Sequence, residues 1–521
     1  MKRLVALLLA VLMCAAMLVG CGGNSSTSSE STSKATEGTK EAGENDETKD
    51  AAWPEETYHA VMVVWVANDN WPNMDGVVKK VAEITKRDLN IEVEMLPMTM
   101  STSNTQVPLM LSGGQQIDVF ANFTDPVTQY EEGKIIAMED YWDYLHEVIY
   151  DVFGEDEVLA SYREGHLLGF SPRLERTHRY GMAMRTDILN EVGYTADDLK
   201  ECGFDQATEI FKAVHDKYPD MVVMGGPYNS GPATNFQHTD TLTDNYGVLD
   251  NYAQTFEVTN AYEGEYYIKA ATYMKQWYDA GYIQKDLATS QDSYESLVKA
   301  GNTFGGCCPM KPDSYAEKQD QCAHDMTIFY WAYDMVNAYS GSGYAIGGTS
   351  KDPAKAAVLM NYIFTSREFN DMVNWGVEGI DWVESDDPSH NVATFPEGMT
   401  AETQTYHNSY GWAYPNQRIA HVWDNNEPNM YTEIYPNAEI NAYHSKAYGF
   451  QFDNSEWVDA EGAFTNIMNE YLYVIASGAV SDPEAKIKEY NDKLYASGLE
   501  DYMKAQQEQL DAWCAENGIS E

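Results

Sequence analysis

Basic residues are scarce in this 521-residue chain: 33 Lys and Arg stand against 82 Asp and Glu, a formal net charge of −49 at pH 7. That deficit excludes nucleic acid as a partner, because a phosphate backbone selects stripes of Lys and Arg and this surface repels it. The excess of acid speaks for solubility and is silent on fold. Cysteine is equally sparse, with seven in the whole chain and no CxxC pair. A zinc site and a disulfide framework are both excluded by that spacing. Past Cys21 the thiols are Cys202, Cys307, Cys308, Cys322 and Cys514, read as buried or free; a bridge from Cys307 or Cys308 to Cys322 stays open in an oxidising setting. Catalytic signatures are missing too. There is no HExxH and no P-loop, Tyr339-Ser340-Gly341-Ser342-Gly343 lacks the first glycine of a GxSxG elbow, and residues 341–348 hold no GxGxxG. Residues 341–348 read instead as a strand and turn near a hinge, where glycine admits close backbone approach. Carboxylates are too plentiful to single out a glycosidase dyad. Asp424-Asn425-Asn426-Glu427 has oxygen ligands at calcium-like density but not the EF-hand glycine spacing, so it reads as a solvated loop and no metal is expected.

What is present begins at the N-terminus. Lys2 and Arg3 precede an apolar stretch over residues 4–19, the charge and length pattern of a secretory signal rather than of a membrane span. The stretch ends in Leu18-Val19-Gly20-Cys21, which resembles the lipobox of bacterial lipoproteins. The resemblance implies cleavage after Gly20 and lipid on the Cys21 sulfur, anchoring the body at the outer face of the cell membrane. Residues 21–56 are rich in Ser, Thr, Gly, Glu and Lys and bury too little surface to offset the entropy of ordering. They read as an acidic tether that, as a flexible coil, reaches on the order of 30 Å.

Order starts at Val61-Met62-Val63-Val64-Trp65-Val66, an apolar run suited to a strand buried on both faces. Val77, Val81 and Ile84 then fall at helical spacing, and Ile91, Val93 and Met95 alternate as a second strand. A helix ending in Leu109-Met110-Leu111-Ser112 and a strand at Ile117-Asp118-Val119-Phe120 complete an open α/β sheet. Ligands of such sheets bind beyond the carboxyl ends of the strands, here residues 68–71 and 122–125. Further on, Asp352 caps and Pro353 begins an amphipathic helical segment, with Ala356, Leu359, Met360, Ile363 and Phe364 on one face, that ends at Gly376. Near the C-terminus Asp482 and Pro483 open a helical region that Gly498 interrupts and Gly518 closes.

Leu109-Met110-Leu111-Ser112-Gly113 with Asp118-Val119 resembles the "L-x-x-G-x-x-x-D" segment of extracellular solute-binding proteins of family 1. Tyr130 to Ile136, Arg163 to Phe170, Met184 to Leu189, Trp277 to Ile283 and Lys299 to Gly305 are similar to five further segments of that family, in family order. Gly376-Val377-Glu378-Gly379-Ile380-Asp381-Trp382 resembles the "GiEGxxY" element of its LipO-type branch, related to oligosaccharide binders. Tyr448 to Asp453 and Ala505 to Trp513 are similar to the ends of that branch's C-terminal domain. The resemblance implies a two-lobed periplasmic binding protein type II fold of class α/β. Its lobes would be discontinuous, 57–172 plus 303–350 and 176–302 plus 351–521, with hinge crossings at 171–177, near 302 and at 348–352. It further implies a monomer without cofactor that captures a solute between its lobes and hands it to the membrane permease of an ABC importer, without catalysis.

A sugar offers flat C–H faces and a fringe of hydroxyls, so its site needs aromatic plates with short polar groups beside them. Aromatics make up 12% of the chain. The candidates are Trp65, Asn68, Asp69 and Trp71; Asn122, Thr124 and Asp125; Trp331 and Tyr333; Trp375, Glu378, Asp381 and Trp382; and Trp412. With the branch resemblance they point to a carbohydrate, an oligosaccharide by expectation. Two alternatives stay open: a binding lipoprotein for a peptide or polyamine, and a lipid-anchored glycan hydrolase.

Overall fold

The computed structural model describes residues 56–519 apart from 123, 125, 164, 175, 178, 200–201, 228–230, 235–237, 243–245, 291, 337–342 and 409. The expected leader, lipidation residue and tether therefore lie outside the described residues. Among the described residues no helix is long and apolar enough to cross a membrane.

In chain order, β1 (Tyr58–Trp65), α1 (Met74–Leu89), β2 (Ile91–Met98), α2 (Met100–Ser112) and β3 (Val119–Ala121) form the first body of structure. The expected βαβ unit is there. β2 and β3 run parallel on either side of β1, from Tyr58 opposite Ile91 to Trp65 opposite Met98. Val77, Val81 and Ile84 are buried on one face of α1, as their spacing requires.

The second sheet uses β4 (Arg179–Arg185), β5 (Val222–Met224), β6 (Thr303–Met310) and β7 (Met326–Tyr330) in the order β5-β6-β4-β7. Helices α3 (Phe204–Lys217) and α4 (Glu265–Asp279) pack against it, and α5 (Ser314–Cys322) leads into β7. The chain then returns to the first sheet: β8 (Tyr344–Ile346) pairs antiparallel with β3. Here the expected close approach is met, since a Cβ on Gly348 would lie 2.0 Å from the Gly133 carbonyl oxygen. The amphipathic segment is two helices, α6 (Pro353–Thr365) and α7 (Arg367–Trp375), because Ser366 leaves the helical conformation and caps the second one through the N–H of Phe369. Asp352 caps α6 by accepting from Lys355 N. A small sheet follows, β9 (Val383–Glu384), β10 (Val392–Thr394) and β11 (Val422–Trp423). Helices α8 (Val458–Ala476), α9 (Pro483–Ala496) and α10 (Leu499–Glu516) close the chain, with Gly498 at φ 105 between the last two.

Two main cores result. One joins β1, β2 and β3 to α6, α7 and residues 406–414; the other joins β4 and α4 to α8, α9 and α10. This is the two-lobed type II architecture, yet its segments are shared out differently from the expectation. Residues 303–310 pair with β4 and β5, so the chain does not change sheets near 302. Ala356, Leu359 and Ile363 of α6 lie in the first core, so it does not change at 348–352 either. The crossing at 171–177 does run between the cores. Arg173 donates its N–H to Pro415 O at 2.7 Å, Arg176 Nε lies 3.1 Å from Glu157, and Arg418 donates to Leu174 O. All five later thiols are free, and Cys202, Cys307, Cys308 and Cys322 are buried. Burial pushes Cys322 up to about 12, far from a reactive thiolate.

Candidate ligand-binding cleft

A small pocket, about 360 Å³ of empty space when the open solvent at its mouth is included, lies where α5 meets the end of α7 and the small sheet. One wall comes from the second sheet's side. Lys311, Asp313, Glu317 and Asp320 line it, and the last three fall at i, i+4 and i+7, which puts them on one face of α5 and its entry. The opposite wall is aromatic: Trp375 from the end of α7, His407, and Trp423 from β11, with Tyr431. Their rings form one packed group. Trp375 lies 5.0 Å from both His407 and Trp423, and His407 lies 4.3 Å from Trp423. Phe395 closes the back at 4.8 Å from Trp423.

Backbone and amide bonds hold this wall in place. Trp375 Nε1 donates to His421 O at 2.9 Å, and Asn408, next to His407, accepts from Ala67 N at 2.6 Å just past β1. The cavity therefore lies near the carboxyl end of β1, where an open α/β sheet receives its ligand. Gly411 lies against the Gln417 carboxamide; a Cβ there would meet Oε1 at 0.8 Å, so any larger residue would displace Gln417.

Charge in the cleft is unevenly matched. Lys311 lies 2.6 Å and Lys318 3.1 Å from Glu317, and Lys318 reaches Glu295 at 3.0 Å. Burial alone would raise the Glu317 pKa, but the two lysines outweigh it and hold the carboxyl at about 2. Asp313 accepts from Tyr435 Oη at 2.8 Å. Asp320 has no cation beside it among the described residues; its bond is from Asn425 Nδ2 at 3.0 Å. Asp320 is exposed to solvent, yet protein crowded around its carboxyl pushes it up to about 6, helped by Asp424 and Glu317. His407 is nine-tenths buried, its Nδ1 has no hydrogen-bond partner, and burial pulls its pKa down to about 3, so the ring is neutral. Gln417 Oε1 is likewise buried without a partner. The cleft thus combines aromatic rings with polar groups, on His407 and Gln417, whose hydrogen-bonding capacity is not used within the protein, a pairing that suits a polyhydroxylated solute.

The family model "Bacterial extracellular solute-binding protein" matches residues 79–380, more than half of the chain. The chain belongs to the bacterial extracellular solute-binding proteins. A second model, "Domain of unknown function (DUF3502)", matches residues 446–515 of this solute-binding protein. A carbohydrate ABC transporter substrate-binding protein of Streptococcus pneumoniae serotype 4 is 20% identical over 464 residues, 87% of this chain and 90% of that one. Among solved structures, the N-glycan transport solute binding protein NgtS of S. pneumoniae, in complex with Man1GlcNAc, is similar at TM-score 0.74 and 19% identity, covering 87% of this chain and 99% of the other. FusA of S. pneumoniae, in complex with kestose, is similar at TM-score 0.60 and 15% identity over 88% and 100%. These likenesses fix the fold. Membership of an extracellular family places the solute-binding protein outside the cytoplasm.

Of the residues picked out by sequence, the structure brings Trp375 to the cavity. Trp65 is core, edge-on to the half-buried Trp412 at 6.0 Å. Trp71 packs on Tyr406 at 6.0 Å, while Asn68 and Asp69 are exposed in the loop before it. Asn122 is buried and accepts from the Thr124 hydroxyl at 2.7 Å; Asp125 lies outside the described residues. Trp331 stacks between Tyr180 and Trp277 in the second core, and Tyr333 is exposed against Tyr252. Glu378 points outward, Trp382 donates to Gly376 O at 3.0 Å in a buried turn, and Asp381 is fully buried as an acceptor. Sequence reasoning missed Lys311, Asp313, Glu317, Asp320, His407, Gly411, Gln417, Trp423 and Tyr431. It named Asn425 and Asn426 only as part of a solvated loop, and both line the cavity.

Proposed function

We propose that this solute-binding protein captures an oligosaccharide in the cleft between its lobes and delivers it to an ABC permease, held at the outer face of the membrane by lipid on Cys21. The observation that carries the ligand class is the packed ring group of Trp375, His407 and Trp423 lining one pocket together with polar atoms of His407 and Gln417 that have no partner in the protein. Ring faces take the C–H faces of a sugar, and His407 and Gln417 take hydroxyls. Relatives whose names or bound ligands are carbohydrate support the same reading. Capture needs no catalysis: a ligand that touches both walls stabilises the closed form by its differential affinity, and that form is the one a permease recognises. The lobes would be 57–170 with 344–414 and 179–336 with 447–519, following the two cores. The test is calorimetric binding across an oligosaccharide panel, with peptides and polyamines as controls. Binding of a glycan with no product formed supports the proposal; stabilisation by peptides or polyamines alone overturns it.

A further inference from the structure

We infer that Tyr252, Tyr333 and Tyr443 form a second sugar-stacking site, set on the hinge between the lobes and apart from the pocket already described. The inference rests on the carbohydrate reading above and adds a site to it.

The chain passes between the two cores three times. Phe170 lies in the first core and Tyr180 in the second, Met335 in the second and Tyr344 in the first, Tyr414 in the first and Ala447 in the second. These passages are bound to one another. Met335–Val336 and Tyr443–His444 pair as a parallel ribbon, and on the first passage Arg176 donates to Tyr448 Oη at 3.0 Å while Arg179 lies 3.3 Å from Asp334. Tyr333 stands just before the ribbon and Tyr443 is part of it. Tyr252 comes from a loop on the second core that is tied to the same ribbon: Gln254 Nε2 donates to His444 O at 3.0 Å, and the Lys446 N–H to Ala253 O at 3.1 Å.

The three rings make a corner. Tyr252 stacks on Tyr443, centroids 4.5 Å apart and planes within 23°, and Tyr333 stands 6.0 Å from the one and 6.2 Å from the other, at 56° and 60°. Tyr252 Oη accepts from Tyr333 N at 3.1 Å, which fixes the corner's shape. Tyr333 is 67% exposed and Tyr443 43%, so both present ring surface to solvent. One exposed aromatic is ordinary; three from separate segments, held at an angle, are not. The loop that supplies Tyr252 is also strained: Asn251, Tyr252 and Ala253 have φ of 49, 57 and 52, left-handed at three successive non-glycine residues. Strain of that kind collects where a ligand is gripped. Behind the rings, His238 lies 6.4 Å from Tyr252 and 4.4 Å from Tyr266, and His238 Nδ1 and Tyr266 Oη are buried without a hydrogen-bond partner. Rings with unspent polar atoms beside them are the pairing found in the first pocket. The phenol hydroxyls at the open edge suit a solute that keeps its rim in water, as a sugar does and an apolar peptide side chain does not. A sugar stacked here touches the segments that must bend when the lobes open and close.

The test is calorimetry at pH 7.5 on the purified protein, with neutral tri- and pentasaccharides of the gluco-, manno-, xylo-, fructo- and N-acetylglucosamine series. Tyr333→Ala should weaken the best binder by about five-fold and Tyr333→Ala with Tyr443→Ala by at least about ten-fold, the scale of lost ring stacking. Both should melt within a few degrees of the wild type, since these rings are largely exposed. Tyr333→Phe keeps the ring face and should bind within about two-fold of the wild type, whereas Tyr333→Leu, apolar but not flat, should stay as weak as Tyr333→Ala; a merely structural role would not separate Phe from Leu. Unchanged affinity in the double variant, or rescue by Leu as full as by Phe, overturns this inference and leaves the carbohydrate reading standing. Failure of every glycan to bind the wild type overturns both.

Discussion

The imidazole of His407 lies over the indole of Trp375, ring centroids 5.0 Å apart and planes within 24° of parallel. Burial in that stack keeps the histidine neutral at about 3. In the unfolded chain the same ring titrates near 6.5, so the folded form binds its proton less well. The sign follows: this contribution to stability is complete above about 6.5 and is lost as pH falls from there toward 3, by on the order of a few kcal/mol. Asp320 acts oppositely, since its raised pKa lets the folded form gain a proton first below about 6; its contact with water makes that term the smaller one. Urea unfolding between pH 7 and 5 should therefore show falling stability in the wild type. His407→Gln should flatten the slope and Asp320→Asn should steepen it. A wild-type stability that rises toward pH 5 would contradict the assignment.

Trp423 separates plate from scaffold. It is buried to 5% exposure against Trp375, Phe395 and Ala393, and it also lines the cavity. Removing the ring should cost stability by about 3–5 kcal/mol. Trp423→Phe keeps a plate, so it should melt within a few degrees of the wild type and yet bind the best neutral trisaccharide several-fold more weakly, because a smaller ring covers less of a sugar face. Calorimetry and a thermal melt on the same sample separate the two effects. Unchanged affinity in the Phe variant would move the ligand off this wall.

The first sheet was readable because its strands are short buried runs and its helix repeats at 3.6, so Val61 to Val66 and Val77, Val81 and Ile84 declare themselves locally. The allotment of 303–310 was not readable. Which sheet a strand joins depends on the ladder it finds, here Cys307 opposite Met182 and Gly305 opposite Met184, more than a hundred residues away. The site divides in the same way. Trp375 stood out beside a helix end and Gly376, but Trp65, Trp331 and Trp382 have equal aromatic character and are core. Asp320 is one acid among 82, and only the fold turns Asp313, Glu317 and Asp320 toward an aromatic wall.

Glu317 is the keystone of a buried charge group with Lys311, Lys318 and Glu295. Glu317→Leu removes the carboxylate that both lysines share, leaving Lys318 with Glu295 and Lys311 with Asp313, and should destabilise the protein by up to about 3–5 kcal/mol. Glu317→Leu with Lys318→Met removes a pair and should recover part of that loss. Because its folded pKa of about 2 lies below the unfolded value, the wild-type contribution is complete above about 4.5 and is lost as pH falls toward 2. Denaturant midpoints for the single and double variants at pH 7 decide the point; a double variant no more stable than the single one would argue that the charges act independently.

Cys21 concerns location alone. If lipid on its sulfur holds the body beside its permease, Cys21→Ala should lower uptake of the bound glycan by intact cells while the purified protein keeps its affinity, because a released receptor is diluted away from the membrane. An uptake rate equal to the wild type in cells that shed the variant into the medium would show that anchoring is not needed.

Asp381, proposed from sequence as a ligand contact, has its oxygens spent inside the protein. Its Oδ2 accepts from Asn73 Nδ2 at 2.6 Å and Val377 N at 2.8 Å, and its Oδ1 from the Thr405 hydroxyl at 2.6 Å. Those three donors come from the N-terminus of α1, the turn after α7, and the segment leading to His407. Asp381 therefore fixes where the aromatic wall stands relative to β1 and does not itself reach the cavity. Asp381→Ala would leave three buried donors without acceptors, costing about 1–3 kcal/mol each at the outset, less what relaxation and water recover. A stability loss of several kcal/mol is expected. Asp381→Asn keeps the shape and two acceptor sites but turns one amide toward a donor, so it should be intermediate. Affinity of the still-folded Asn variant for a neutral trisaccharide, measured well below its melting temperature, should fall less than about three-fold, the margin for a residue that acts through position alone. A loss of a hundred-fold with an unchanged melt would instead make Asp381 a direct contact.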